Sequence, residues 1–180
     1  MPGFLLFAGL IGAAILGTPC PEWTNDRWVQ GGPLRLADLK GRVVLIRFFM
    51  SADCPYCRGT APALNEFHRE FAREGLVVVG MYTPKPKPRR ASVEEVKRYV
   101  DAFSFRFPVA LDDDWATLRR LWLDRVPEAS YTSATLLIDR KGIVRHVQAG
   151  GLYARDASTP EGRKDYWDLD RAIRELLAES

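Results

Sequence analysis

Two nearly unbroken apolar runs dominate the pattern of the chain. They are Val43-Val44-Leu45-Ile46-Arg47-Phe48-Phe49 and Leu76-Val77-Val78-Val79-Gly80-Met81-Tyr82. Each has the length of a strand and lacks polar alternation, as expected of strands covered on both faces. Between them the period changes. Ala61, Leu64, Phe67, Phe71 and Ala72 fall on one stripe at helical spacing, predicting a helix over 58–74. Pro62 lies inside it, and its missing N–H and bulky ring predict a kink near the first turns. Strand, helix, strand predicts a right-handed parallel crossover.

Before the first long strand, 23–33 is a polar approach with two tryptophans. Leu34-Arg35-Leu36 alternates, predicting a short edge strand, and 37–41 reads as a turn. After the second strand, Pro84-Lys85-Pro86-Lys87-Pro88-Arg89-Arg90 predicts an extended, solvated connector with four positive charges. Ser92 and Glu95 form a capping-box pattern for a helix over 93–103. A strand over 105–111 follows, and Asp112, Asp113 and Asp114 sit where they cap a helix over 115–123. The pattern over 135–148, with Arg140-Lys141-Gly142 at its centre, predicts a β-hairpin. A last helix over 166–178 presents Leu169, Ile173, Leu176 and Leu177 to the core.

Composition narrows the function classes. A chain of 180 residues suffices for one domain with a proper core. A net charge of +3 and the absence of aromatic interleaving in the basic loop argue against a nucleic-acid partner. Three cysteines exclude a multi-disulfide scaffold. The first 21 residues carry no charged side chain, and the apolar part, 4–16, has the length of a signal-peptide core. The expectation is a hydrophobic signal or membrane-anchor segment over 1–17 and a folded domain over 18–180. The competing arrangement, an apolar element packed on the domain, is disfavoured by Gly3, Gly9, Gly12 and Gly17.

The chemistry centres on Cys54-Pro55-Tyr56-Cys57, delivered by the first strand to the start of the helix. A thiolate attacks a disulfide, and unpaired N–H groups at a helix N-terminus favour the thiolate. Cys54 is therefore the expected nucleophile and Cys57, one turn further in, the resolving thiol. Pro55 supports the tight entry into the helix, and Tyr56 can pack beside the site. A zinc site needs about four ligands. The remaining candidates are Cys20, His68 and His146, and His68 is about 16 Å along the helix from Cys57. Both histidines are expected to be structural, and no metal or other cofactor is expected.

Further stretches point to one family. The opening Gly17-Thr18-Pro19-Cys20-Pro21-Glu22-Trp23 is similar to a Gly-x-x-Ala-Pro-x-Phe motif. Leu36-Ala37-Asp38-Leu39-Lys40-Gly41 leads into the first strand, Pro62 follows the dithiol, and Leu137-Ile138-Asp139-Arg140-Lys141-Gly142 forms the hairpin. Together they resemble the TlpA/ResA-like thiol–disulfide oxidoreductases of the bacterial cell envelope. The resemblance implies a thioredoxin-like α/β fold, a central mixed β-sheet flanked by helices on both faces. It implies a monomeric enzyme exchanging disulfides with protein substrates and a redox partner protein outside the cytoplasm. Cys54 and Cys57 would be catalytic, and Pro55, Tyr56, Thr132 and Ser133 would face the substrate. Membrane association would run through the N-terminus.

Four positions depart from the family pattern. The family's cis-proline, six residues before the hairpin aspartate, is Ser133, so a trans bond after Thr132 is expected. The tryptophan before the first cysteine is Asp53, whose carboxylate opposes the helix terminus. Thr60 stands for a glutamate. Arg47 stands one residue earlier than the usual Asn or Asp, implying a longer approach loop. Two alternatives remain: a peroxiredoxin-like peroxidase, for which the Pro-x-x-x-Thr-x-x-Cys pattern is missing, and a non-catalytic binding or metal-carrying module on the same fold.

Overall fold

The two apolar runs form the parallel centre of a six-stranded sheet. The computed structural model describes residues 11–129 and 132–179. Its strands are β1 (Trp28–Gln30), β2 (Val43–Phe49), β3 (Leu76–Tyr82), β4 (Val109–Leu111), β5 (Ala134–Ile138) and β6 (Val144–Ala149), in the order β1-β4-β3-β2-β5-β6. β2 pairs parallel with β3 from Val43 opposite Leu76 to Phe49 opposite Tyr82, and antiparallel with β5. The helices are α1 (Pro55–Phe71), α2 (Val93–Ala102), α3 (Ala116–Leu118, continued by a π-helical stretch, Arg119–Leu123) and α4 (Pro160–Ala178). The sheet is mixed and covered on both faces, as expected. Val43, Leu45 and Phe49 pack with α1, α2 and α4, and Val44, Ile46 and Phe48 pack with α3 and the N-terminal segment.

Some boundaries moved, each for a local reason. The edge strand is β1 and not 34–36, because side chains take the polar backbone groups of that stretch. Glu22 accepts the N–H groups of Leu36 and Ala37 at 2.6 and 2.9 Å, and Trp23 donates to the Leu34 carbonyl at 2.7 Å. Residues 36–39 then close a 3-10 turn. The strand expected over 105–111 starts only at Val109, since the Gln30 amide takes the carbonyls of Phe105 and Phe107. α1 begins at Pro55 and runs through Pro62 without a break. α4 begins six residues before 166, where the Thr159 hydroxyl accepts the Gly162 N–H at 3.1 Å. Ser92 caps α2 as expected, accepting from Glu95 N–H at 3.0 Å, but the Glu95 carboxylate turns to Arg89 rather than back to the cap. Of the acidic triplet, Asp112 accepts from Thr117 and Leu118 and Asp114 accepts from Ala116, while Asp113 pairs with Arg27.

Part of the apolar N-terminal segment belongs to this body. Ile15 is 1% exposed within the cluster around Trp122 and Leu136. Gly17 donates to the Val144 carbonyl and Thr18 accepts from Val144 N–H, at 2.8 and 3.0 Å. Gly12 has φ 93°, and a Cβ there would stand 2.7 Å from Val147 Cγ1, so glycine permits the close approach. The packed body therefore reaches back at least to Ile11, and the first ten residues of the expected signal or anchor lie outside the described residues. No helix among the described residues is long and apolar enough to cross a membrane.

Candidate active site

β2 ends at Phe49, and a turn over 50–53 delivers Cys54 to the N-cap of α1. Cys54 is extended (φ −72°, ψ 116°), and its Sγ accepts the Cys57 N–H at 3.4 Å. Pro55 occupies the first helical position, where a missing N–H costs nothing. The Cys54 carbonyl starts the helix by accepting from Arg58 at 3.0 Å. Cys57 is only 3% exposed, while Cys54 is half-buried; both are free thiols. Burial pushes the Cys57 thiol up to about 11. A hydrogen bond from Met50 N–H (3.5 Å) and the positive charge of Arg47 oppose this, and the neighbouring Cys54 adds to it.

The expected substrate-facing residues divide. Tyr56, 57% exposed, joins Thr132 and Ser133 in the wall of a groove of about 930 Å³ that also includes Lys85, His146 and Gln148. Pro55 is exposed beside Tyr56 but does not line this groove. The cis peptide bonds among the described residues precede Pro33 and Pro86, so Thr132–Ser133 is trans, as serine implied. Ser133 is held through its carbonyl, which accepts from Gly150 N–H at 2.7 Å. Asp53 is exposed. Thr60 is buried, and its hydroxyl has no hydrogen-bond partner. A second cavity, of about 540 Å³ near Asn25 and Arg89, holds no cysteine.

The other thiol and the histidines lie apart from the pair. Cys20 is buried and its thiol is pushed up to about 12, chiefly by burial. His68 packs edge-on to Phe107, with ring centroids 5.8 Å apart, and burial lowers its pKa. His146 sits in β6, where burial also lowers its pKa. No cluster of three or more His, Cys, Asp or Glu suited to a metal occurs among the described residues.

Two residues near the dithiol have a place that their sequence positions did not assign to them. Arg47 is 1% exposed inside β2. Its Nη1 donates to Thr135 Oγ1 at 3.1 Å and its Nη2 to the Gly151 carbonyl at 3.4 Å. The guanidinium also lies 5.5 Å from the ring centroid of Tyr153, whose hydroxyl is 2.9 Å from Thr135 Oγ1. The signal was present: a lone charge in an otherwise apolar run buried on both faces. Lys85, placed by its sequence in a solvated connector, is instead half-buried, its Nζ 5.3 Å from the centroid of Trp115. Burial lowers its pKa, while Cys54 and Cys57 pull it up. The loop beyond Gly151 is fitted to α1, since a Cβ on Gly59 would meet Leu152 Cδ1 at 2.0 Å.

Comparison with known proteins agrees with this architecture. Residues 16–147 match the model of the AhpC/TSA family. Protein DipZ of Mycobacterium tuberculosis is 30% identical over 145 residues, covering 81% of this chain but only 18% of DipZ. ResA of Geobacillus thermodenitrificans, a thiol–disulfide oxidoreductase, is 23% identical over 80% of this chain and 75% of its own length. A solved thiol–disulfide isomerase from Corynebacterium glutamicum is 27% identical, with a TM-score of 0.69 over 90% of this chain and 97% of that one. The chain belongs to the AhpC/TSA family and, with its thioredoxin-like fold, is a redoxin of the TlpA/ResA type.

Proposed function

We propose that the protein is a thiol–disulfide oxidoreductase that exchanges disulfides with protein substrates through Cys54 and Cys57. The observation that carries this is the N-cap position of Cys54, its sulfur facing the Cys57 N–H with Cys57 buried behind it. Cys54, half-buried at the start of α1, is open to an incoming disulfide, and the attacking species in exchange is a thiolate. The Cys54 thiolate attacks one sulfur of a substrate disulfide. A mixed disulfide forms and the other substrate sulfur leaves as a thiolate, which takes a proton. The Cys57 thiolate then attacks Cys54 Sγ and releases the second substrate sulfur. Two electrons pass to the substrate and a Cys54–Cys57 disulfide remains. Reversal oxidises a dithiol substrate.

Tyr56, Thr132 and Ser133 form the surface that receives the substrate chain, and Pro55 shapes the turn that presents Cys54. The sulfurs carry the electrons themselves, so the cycle calls for no added cofactor, only a second redox protein to reset the pair. The protein works as a monomer in the cell envelope, outside the cytoplasm, a location supported by the apolar stretch over 4–16. Reduction of insulin by the reduced protein tests the reading: wild type turns over with an added thiol reductant, and Cys54→Ser does not. Undiminished turnover by Cys54→Ser overturns it. Peroxide consumption in place of insulin reduction would favour the peroxidase alternative.

A further inference from the structure

Arg47 is a buried cation without an anion. Among the described residues its partners are a hydroxyl, a carbonyl and an aromatic ring, and its Nε has no hydrogen-bond partner. A buried charge left in this state is costly, and a nearby negative group would offset that cost. Tyr153 does not provide one. It is fully buried, burial holds its hydroxyl above the usual tyrosine range, and that hydroxyl is engaged with Thr135.

The dithiol is a neighbour able to carry negative charge, and the Arg47 charge reaches Cys57. Arg47 shares a face of β2 with Leu45 and Phe49, which pack in one cluster with Cys57. Three residues beyond Arg47, the Met50 N–H meets Cys57 Sγ. On the other side, Arg47 holds the Gly151 carbonyl, and the next residue, Leu152, presses on Gly59, two residues past Cys57. The guanidinium is thus bracketed by the strand that leads to the dithiol turn and the loop seated on that turn's helix. Its charge already acts on Cys57 in the direction of the thiolate.

We propose that the buried Arg47 guanidinium is the fixed counter-charge of the Cys54–Cys57 pair in its thiolate form. Arg47 is then a positioning residue for the exchange reaction, and this inference rests on the oxidoreductase reading above. In the disulfide form the pair carries no charge and Arg47 loses its partner. The guanidinium therefore stabilises the reduced form and makes the pair a stronger oxidant, as stabilising a reduced dithiol does in general. Among the described residues Lys85, from the loop after β3, is a second cation acting on both sulfurs; Arg58 is bonded to the Ala52 carbonyl of the dithiol turn and Asp53 is exposed beside Cys54 in sequence. All the variants below retain these three.

The test uses the full chain with Cys20→Ser, so that only the pair titrates, and compares Arg47 with Arg47→Met, Arg47→Gln and Arg47→Lys. Arg47→Gln keeps donors for Thr135 and Gly151 without the charge, and circular dichroism identifies the variants that fold. The first readout is ultraviolet thiolate absorbance against pH, with the rate of iodoacetamide alkylation. Both neutral variants are expected to alkylate about tenfold more slowly at a fixed pH below the titration, the factor one pKa unit makes in thiolate fraction. Arg47→Lys should stay close to wild type. The second readout is equilibrium with glutathione. The dithiol gives two electrons to glutathione disulfide, the Cys54–Cys57 bond forms, and two glutathione thiols are released. That constant should shift about tenfold toward the protein disulfide in the neutral variants, about 30 mV for a two-electron couple. Coincident titrations in wild type and either folded neutral variant overturn the proposal. So does a shift in Arg47→Lys as large as that in Arg47→Met, which would make the role one of shape. If titration shifts as expected but wild type exchanges nothing with glutathione, the counter-charge stands and the oxidoreductase reading falls.

Discussion

The Cys57 N–H points at Cys54 Sγ across 3.4 Å, while Cys57 Sγ receives the Met50 N–H at 3.5 Å. Each sulfur has one backbone donor, but they differ in access: Cys54 is half-buried and Cys57 is sealed beneath it. An incoming disulfide can meet Cys54 first, and only a mixed disulfide on Cys54 brings a sulfur within reach of Cys57. Cys57→Ser should therefore still attack a protein disulfide but fail to release it. Non-reducing electrophoresis should show a stable adduct with Cys57→Ser and none with Cys54→Ser. An adduct that forms equally with both single variants would mean that either sulfur initiates.

Cys20 has a different fate. Burial pushes its thiol up to about 12, with Arg125 partly opposing, and it sits in the cluster behind β2 rather than beside the dithiol. A thiol reacts through its thiolate, so native Cys20 should be close to inert at neutral pH. Iodoacetamide mapping by mass spectrometry at pH 7 should modify Cys54 well before Cys20, and the two should converge in denaturant. Cys20→Ser should leave disulfide exchange at the wild-type rate.

Tyr56 projects from the dithiol turn with 57% of its surface exposed, and Thr132 and Ser133 lie with it in one groove. An exposed aromatic ring beside a nucleophile supplies contact area to a substrate chain without holding the fold together. Tyr56→Ala should raise KM for insulin by about fivefold, roughly 1 kcal/mol, with kcat and the unfolding midpoint little changed. A fall in kcat with unchanged KM would give the ring a part in the chemical step instead.

The legible parts of this molecule were those that one local pattern determines. Val43–Phe49 and Leu76–Tyr82 have the bounds that their apolar runs have, because a strand buried on both faces is apolar at nearly every position, Arg47 being the exception in the first. Ser92 and Asp112 were legible as caps, since a short polar side chain before a helix has orphan N–H groups to meet. What stayed hidden depends on distant partners. Glu22 and Trp23 claim the backbone of 34–37, and Gln30 claims that of 105–107. The dithiol turn was readable as a Cys-x-x-Cys at a strand–helix junction. Arg47 and Lys85 were not readable as its neighbours, because Thr135, Gly151 and Trp115 hold them from far along the chain.

The place of the N-terminal segment can be tested through Ile15. It is 1% exposed in the cluster with Val44, Ile46 and Trp122, so its side chain fills space between the sheet and α3. Ile15→Ala removes buried methyl groups and leaves a cavity, at a cost of about 3 kcal/mol. Urea denaturation of the full chain should show that loss. A change below about 0.5 kcal/mol, the range of surface substitutions, would mean that 11–17 is only loosely attached.

Asp139 ties the β5–β6 hairpin together and should make stability depend on pH in the acid range. Its Oδ1 accepts the N–H groups of Lys141 and Ile143, both at 2.9 Å, and its Oδ2 accepts from Arg145 at 3.0 Å. Burial opposes ionisation of this 7% exposed residue. The bonds from Ile143, Arg145 and Lys141 outweigh burial and hold the carboxyl below the usual carboxylate range. A carboxylate with a depressed pKa stabilises the folded state fully above its unfolded pKa, about 4. That stabilisation is lost as pH falls from there through the folded value, because over this window the unfolded chain binds more protons than the folded one. Asp139→Asn should cost about 2 kcal/mol at pH 7, the scale of hydrogen bonds to a charged group. As pH falls below the unfolded value the wild-type protein loses the benefit of its carboxylate while the asparagine does not titrate, so the gap between the two proteins should narrow. Urea denaturation at pH 7 and at about pH 3, below the unfolded aspartate pKa, measures both gaps. Equal gaps at the two pH values would show that the hairpin depends on the shape of this side chain and not on its charge.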